Sequence, residues 1–541
     1  MRRLPILAVS SLAAALCACS AGAGGHATLP PAPASVSARC SGIAVTPGSD
    51  RAVQTILDHG AAGATFCFAP GTYRFARPIA PKTGQQLVAA RHGVVLTGAK
   101  IVARFVRSGS NYRAKGFLQG GAFSSTNCLL PGSGCNTTQD VFLDGKPLAR
   151  VTSVARLAAG AFYEDFARNL IWLRDDPSGH IVEQAYAPAI VASNHGSIGV
   201  RGFVVEMAAS PAQHGALQAI GYRGNGWTIE GNEVRFNHGA GITSAPPDQA
   251  EGGSMIENNF IHDNGQEGIG AGGPGLVVAG NEIAFNNRAN YDCGWECGGA
   301  KFAGADGTET TGLSATGNYV HDNAGPGLWC DINSYNVIFK HNRIENNRQV
   351  NPKTGYTTGS GIFLEISDRA VVADNTLKDN GPIANSSSPA AFYEGGQILL
   401  SATPNVTVRN NVASGAIGIG MLQQARSDSC RFGAAHSKRY PDGTPVCPYA
   451  YRGLAIHWVH DESIFGNTIV ETARSGNAAV AGLDSDLLRN GPVFAAANGI
   501  VYSNNAYTLA NSNGRYFEWK NATIAKGAWL AQGQDKKSTF R

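Results

Sequence analysis

Charge is scarce in this 541-residue chain, where only 15% of residues are Asp, Glu, Lys or Arg. The 43 basic and 39 acidic residues leave a net charge of +4, and no long run carries one sign. A dedicated surface for nucleic acid or an anionic membrane is therefore not expected. Long apolar runs are missing past the N-terminus, so no internal segment is expected to span a bilayer. The Leu framework of a leucine-rich repeat is missing, and nothing reads as a heptad or a pair of repeat helices. No His stands at ligand spacing beside the cysteines, which disfavours zinc.

The N-terminus reads as a targeting segment. Arg2 and Arg3 precede an apolar stretch from Leu4 to Ala18 that is too short and too early for a membrane span. Leu16-Cys17-Ala18-Cys19 resembles a bacterial lipobox, which would make Cys19 the lipidated first residue. Ala21-Gly22-Ala23 fits an ordinary signal-peptidase site. The lipoprotein reading is preferred, and either makes the protein exported, as a cell-envelope lipoprotein or a secreted protein. Membrane contact is then expected only through the leader or a lipid anchor. Residues 1–23 are taken as the leader and 24–38, rich in Gly, Ala, Pro and Ser, as a flexible tether. Export permits disulfides. Local pairs suggest themselves: Cys40–Cys67, Cys128–Cys135, Cys293–Cys297 and Cys430–Cys447. Cys330 is left over and is expected to be buried.

What the chain has in excess is glycine, 68 residues against an ordinary apolar content, which implies many turns. One unit recurs from about residue 226 to 505: a short β-branched or apolar strand, an Asn, a second strand, an Asn-bearing turn, then Gly and an apolar residue. The first Asn recurs at Asn232, Asn259, Asn281, Asn318, Asn342, Asn375, Asn411, Asn467 and Asn505. The second turn recurs around Asn237, Asn264, Asn286, Asn323, Asn347 and Asn380. The third strand opens at Gly241, Gly268, Gly299, Gly327, Gly361 and Gly418. Asn tolerates left-handed backbone angles, and stacked Asn amides can bond along a ladder. Three short strands cannot bury their apolar faces alone, but coils stacked on one another share a continuous core. Spacings of 22 residues (Asn259 to Asn281) and 24 residues (Asn318 to Asn342) set the bare coil, so longer gaps are loops.

These units resemble the right-handed parallel β-helix repeats of the pectate-lyase-like superfamily. Asp50 to His59 reads as a short amphipathic helix before Thr65-Phe66-Cys67-Phe68-Ala69-Pro70-Gly71-Thr72-Tyr73, which is similar to the opening of those proteins. There a helix caps the open end of the core, which would otherwise aggregate. The resemblance implies an all-β, three-sheet solenoid of roughly ten coils. Residues 39–97 would form the cap and first coils, 98–185 a small β-rich insertion, 186–520 the β-helix, and 521–541 a C-terminal tail. The superfamily holds lyases, hydrolases, epimerases and non-enzymes, so the fold alone does not name a reaction.

Long insertions fall at few corners. Residues 287–298, 347–360 and 380–395 precede the Gly-apolar strand, whereas 303–312 and 422–453 follow it. Two loop walls should therefore flank one sheet and make a groove. Counting from the opening Gly, alternate side chains face in and out. Ala300, Leu328 and Ile362 point inward, as do Cys330 and Leu364. Lys301, Trp329 and Phe363 point outward, as do Asp331 and Glu365. The two carboxylates are thus expected to stack on adjacent coils, facing solvent on the groove floor. Like charges so close should raise one pKa, which suits an acid and a base or nucleophile. The arrangement resembles β-helix glycosidases that carry an Asp and a Glu on neighbouring coils. Asp331, Glu365 and Lys301 are the candidate catalytic residues. Trp329, Phe363, Trp295, Glu296, Tyr393 and Glu394 are candidate substrate contacts. A polysaccharide or other glycan is the expected partner, with a monomer as the expected state.

Alternatives stay open at this point. The carboxylates could be a solvated face paired with Lys301, or a Ca²⁺ site. In a polysaccharide lyase, Lys301 would abstract a proton while the acidic pair held Ca²⁺; otherwise no cofactor is expected. A non-catalytic glycan-binding surface protein is the other class. His262 and His321, each before an Asp-Asn turn, read as ladder residues.

Overall fold

The chain is described from a computed structural model, covering residues 40–541 except 120–126, 221–225, 245–252, 304–309, 384–391, 427–446, 448, 474–478 and 512. The leader, the tether, Cys19 and Cys430 lie outside the described residues.

Among the described residues, three long sheets, each of thirteen strands, wind as a parallel β-helix. The first sheet runs from Ile43–Val45 to Val501–Ser503, the second from Gly71–Arg74 to Thr539–Phe540, and the third from Val191–Ser193 to Thr523–Ala525. The sheets are deeper than the roughly ten coils expected, because four strands of the first sheet precede residue 226. Between Asn232 and Asn380 each coil passes from the first sheet to the second through one Asn turn and to the third through another. Inward residues such as Ile229, Val234 and Ile242 stack into a single core along the solenoid.

The Asn residues do what the repeat implied. Asn318 donates from its backbone and its side chain to Asn342 Oδ1, at 3.0 and 2.9 Å, and its amide also reaches Val278 O at 2.9 Å. The same pattern climbs from Asn232 to Asn505. There Asp535 closes the ladder, accepting from Asn505, Tyr507 and Trp529. The second ladder runs from Asn237 to Asn380 and ends on Gln397. His262 and His321 do not join these ladders. They stack on Phe260 and Tyr319 on the outer face of the second sheet and bond to Asp263 and Asp322, because each ends a strand whose alternation turns Ile261 or Val320 inward and the ring outward.

Both ends are covered. The helix Asp50–His59 has Ser49 as N-cap and turns Val53 and Leu57 onto the first coils. At the other end, residues 521–541 are not a loose tail. Thr523–Ala525 pairs with Arg515–Trp519, and Thr539–Phe540 adds a strand beside Ala506–Thr508. The helix Lys526–Ala531 buries Trp529 against Phe517, since an open coil end would leave that aromatic core wet.

The described residues of 99–185 build two small sheets, one antiparallel and one mixed, around Val102, Val141, Phe162, Ile171 and Leu173. This insertion leaves between Val94–Thr97 of the second sheet and Val191–Ser193 of the third, the corner from which the loops at 287–298 and 347–360 also emerge. It is bound to the first of these loops through the Cys128–Tyr291 bridge, and to the solenoid through His238, which meets Asp140 Oδ2 at 3.0 Å and Cys135 O at 2.7 Å. Disulfides join Cys40–Cys67, Cys128–Cys135 and Cys293–Cys297, and Cys330 is a buried free thiol. With Cys430 outside the described residues, the Cys430–Cys447 pairing is not described.

Candidate active site

The site is built on three neighbouring strands of the third sheet, Gly298–Ala303, Leu328–Asp331 and Thr357–Glu365. Lys301 pairs with Trp329, Trp329 with Phe363, and Cys330 with Leu364. Ala300, Phe302, Leu328, Cys330, Ile362 and Leu364 enter the core. By alternation Lys301, Trp329, Phe363, Asp331 and Glu365 face outward.

Outward does not mean open here. Asp331 and Glu365 are each only 6% exposed, which corrects the expectation of solvent-facing carboxylates. The cover comes from side chains of the loop walls. Trp295 and Glu296, in a loop tied by Cys293–Cys297, reach over Lys301, whose Nζ donates to Trp295 O at 3.2 Å. Arg426, from the other wall, pairs with Glu365.

Lys301 is the hub. Its Nζ lies 3.1 Å from Asp331 Oδ2, 3.6 Å from Glu296 Oε2 and 4.0 Å from the centre of the Trp329 ring. Burial works against its ammonium, yet Asp331 and Glu296 outweigh it and raise its pKa. Glu365 is pushed up to about 7, first by burial and then by the Asp331 charge, with Arg426 and Lys301 pulling the other way. Trp329 stacks on Phe363 at 5.3 Å, and its indole Nε1–H is buried with no hydrogen-bond partner among the described residues. A buried orphan donor beside two carboxylates is where a ligand hydroxyl would fit. The residues after the two carboxylates, Ile332 and Ile366, sit at φ of 40° and 38°. That region strains a β-branched residue, and such strain gathers at working sites.

Two participants were not foreseen. Glu267, one position before its strand-opening glycine, lies over Gly270, where a Cβ would come within 2.5 Å of Glu267 Oε1. It is fully buried, and burial followed by the Glu296 charge raises its pKa well above the usual carboxylate value. Arg426 is the other. Of the expected contacts, Trp295, Glu296, Trp329 and Phe363 gather at the carboxylates. Tyr393 and Glu394 do not: Glu394 accepts from Tyr356 Oη at 3.1 Å, and half-exposed Tyr393 lies beside Asp484, Asp486 and Glu518. Phe392, buried over Gly420, packs against Phe363, Leu399 and Leu422 and separates the two regions. Among the described residues, no cluster of three or more His, Cys, Asp or Glu side chains is arranged to hold a metal ion.

Burial gives Glu365 a stability signature. A carboxyl whose folded pKa exceeds its unfolded value binds its proton more tightly when folded. Its contribution is therefore full below about pH 4.5 and is lost as pH rises through about 7. Glu365→Gln should gain thermal stability relative to wild type as pH is raised from about 5 to 8. Melting curves across that range check this, and a constant difference would contradict it.

Residues 218–413 match the family described as a right handed beta helix region. The solved complex of XylC with xylose overlays with a TM-score of 0.59 at 16% identity, covering 92% of this chain and 86% of that one. A structure titled glycoside hydrolase overlays at 0.45 and 12% identity, over 71% and 94% of the two chains. The A-module of the Azotobacter vinelandii mannuronan C-5 epimerase AlgE4 overlays at 0.39 and 12%, over 91% and 100%. No curated protein sequence matches this one. The fold is thus a right-handed parallel β-helix, and at these identities the likeness carries the fold alone.

Proposed function

We propose that the protein is an exported glycoside hydrolase that acts on a polysaccharide at the outer face of its third sheet, with Asp331 as nucleophile or base and Glu365 as acid. The observation that carries this reading is the division of the pair: Asp331 is ion-paired with Lys301, whereas Glu365 on the next strand is held at a pKa of about 7. Lys301 gives Asp331 a cation partner, while its neighbour keeps a proton to give to a leaving group. Trp329 and Phe363 offer an aromatic surface for a sugar ring, and the orphan indole N–H a donor for a hydroxyl. The xylose in the XylC complex, on a similar fold, is in keeping with a sugar ligand. The three disulfides suit an oxidising, extracytoplasmic location. A lyase would need Lys301 as a neutral amine, and the charges around it favour the ammonium instead.

Adjacent strands are about 4.8 Å apart, close to the roughly 5–5.5 Å between carboxyls in retaining enzymes. The first sugar released should therefore keep its anomeric configuration. Proton NMR of the early products reads this, and inversion would rule out Asp331 as a nucleophile. The pH profile of kcat/KM should fall on the alkaline side near 7, as Glu365 loses its proton. Arg426→Gln removes a cation that lowers that pKa, so the limb should move upward, on the order of one unit. A limb that stays put or moves down would take the acid role from Glu365.

A further inference from the structure

A second feature lies on the insertion, away from the carboxylates. After the strand Asn111–Lys115, the chain leaves its ladder and three side-chain amides take up its backbone. Phe117 N donates to Gln184 Oε1 at 2.8 Å, Leu118 N to Asn169 Oδ1 at 3.1 Å and Gln119 N to Gln139 Oε1 at 2.5 Å. Gln139 Nε2 in turn donates to Phe117 O at 2.7 Å. A segment pinned this way cannot close onto the strand Ala99–Val102, and a recess of about 480 Å³ remains between them.

The recess is basic and aromatic. Lys100, Arg104 and Lys115 line it, together with Phe117 and Tyr186, whose rings meet edge to face at 6.2 Å. Lys100 Nζ stands 3.1 Å from the centre of the Tyr186 ring and 4.9 Å from that of Phe117. Among the described residues, no carboxylate forms an ion pair with any of the three cations. Three cations without an ion pair among the described residues, beside an aromatic wall and on a backbone held by partly buried hydrogen bonds, make a site for an anionic ring.

We propose that this recess binds an acidic sugar of the substrate, carrying a carboxylate or a sulfate, and so holds an acidic polysaccharide against the wall that flanks the catalytic face. The inference rests on the carbohydrate reading above and narrows its substrate class. The insertion leaves the solenoid at the same corner as the loop bearing Trp295 and Glu296.

Affinity electrophoresis of the full-length protein tests it, with gels holding polygalacturonate, dextran sulfate, or neutral xylan, and DNA as a polyanion without sugar acids. Three variants are compared with wild type: Lys100→Gln/Arg104→Gln/Lys115→Gln, Lys378→Gln/Lys536→Gln/Lys537→Gln with the same charge change elsewhere, and Asp331→Asn/Glu365→Gln. Arg104→Gln/Lys115→Gln, which spares the Lys100–Tyr186 contact, covers the case of a misfolded triple variant. Retardation on one acidic polysaccharide is expected for wild type, the control triple and the carboxylate double variant. It should weaken at least tenfold in the recess variants. Polygalacturonate against dextran sulfate separates a uronate from a sulfated sugar. Unchanged retardation in the recess variants, equal loss in the control triple, equal retardation by DNA, or no retardation on either acidic gel would overturn the proposal. The carboxylate double variant keeps the two readings apart: inactivity of the wild type on every glycan defeats the hydrolase reading alone, whereas loss of binding in that variant would move the acidic chain to the carboxylate face.

Discussion

Glu365→Gln should keep its fold and lose roughly a thousandfold in kcat on a natural glycan, the order expected for removing a general acid. The loss should shrink sharply on an aryl glycoside with a nitrophenol leaving group, which departs without a proton. Asp331→Asn should lose as much or more on both substrates, since a nucleophile is needed whatever leaves. Initial rates of the two variants on the two substrates assign the roles. Equal losses for both variants on both substrates would contradict the division, and full activity would move the search to Glu296 and Glu267. The division is physical: Lys301 sits against Asp331, and burial beside that charge keeps the proton on Glu365.

Asn318→Leu should be among the most damaging single changes in the solenoid, although it removes no apolar contact. Asn318 is buried; its Oδ1 accepts from Asn281 N and Nδ2 at 3.0 and 3.1 Å, and its own amide serves Val278 O. Leucine would leave Asn281 N–H and Val278 O dry and unpaired and take one of two partners from Asn281 Nδ2, so at about 1–3 kcal/mol for each unpaired group a total of roughly 2–6 kcal/mol is expected. That is a large part of the ~5–15 kcal/mol that holds a typical domain. Because each coil leans only on its neighbours, the coils around residue 318 should open first. Hydrogen exchange would locate the opening, and wild-type melting of this variant would contradict the role of the ladder.

The fold was legible because its chemistry repeats. Asn at the corners and Gly at the opening of the third strand carry the coil spacing, and counting from Gly299, Gly327 and Gly361 correctly sorts Lys301, Trp329 and Phe363 from Leu328, Cys330 and Ile362. Within the coil, position in sequence is position in space. That correspondence fails for loops. Arg426 reaches Glu365 across 61 residues, and nothing in the local pattern announces it. Tyr393 and Glu394 lie in a loop of the expected corner, but the Phe392 ring settles over Gly420, and Glu394 turns to Tyr356 while Tyr393 faces the charge of Asp484. The burial of Asp331 and Glu365 was illegible for the same reason, since alternation tells direction and only the loops determine cover.

Glu267 marks a subtler limit. Its sequence signal, a Glu before Gly-Ile-Gly, exists, but its meaning depends on Gly270 leaving room for a carboxyl beside Lys301. The C-terminal residues are a similar case, since Asp535 ends a ladder of Asn residues without being one.

Product chemistry on a broad panel of polysaccharides is the most direct measurement. Reducing ends and the ultraviolet absorbance of unsaturated uronate are followed together for the wild type and Asp331→Asn. Hydrolysis by the Asp331–Glu365 pair requires reducing ends from at least one glycan, no accompanying absorbance, and near-complete loss in Asp331→Asn. Absorbance that rises with cleavage, undiminished release by the variant, or binding without turnover of any glycan would contradict it.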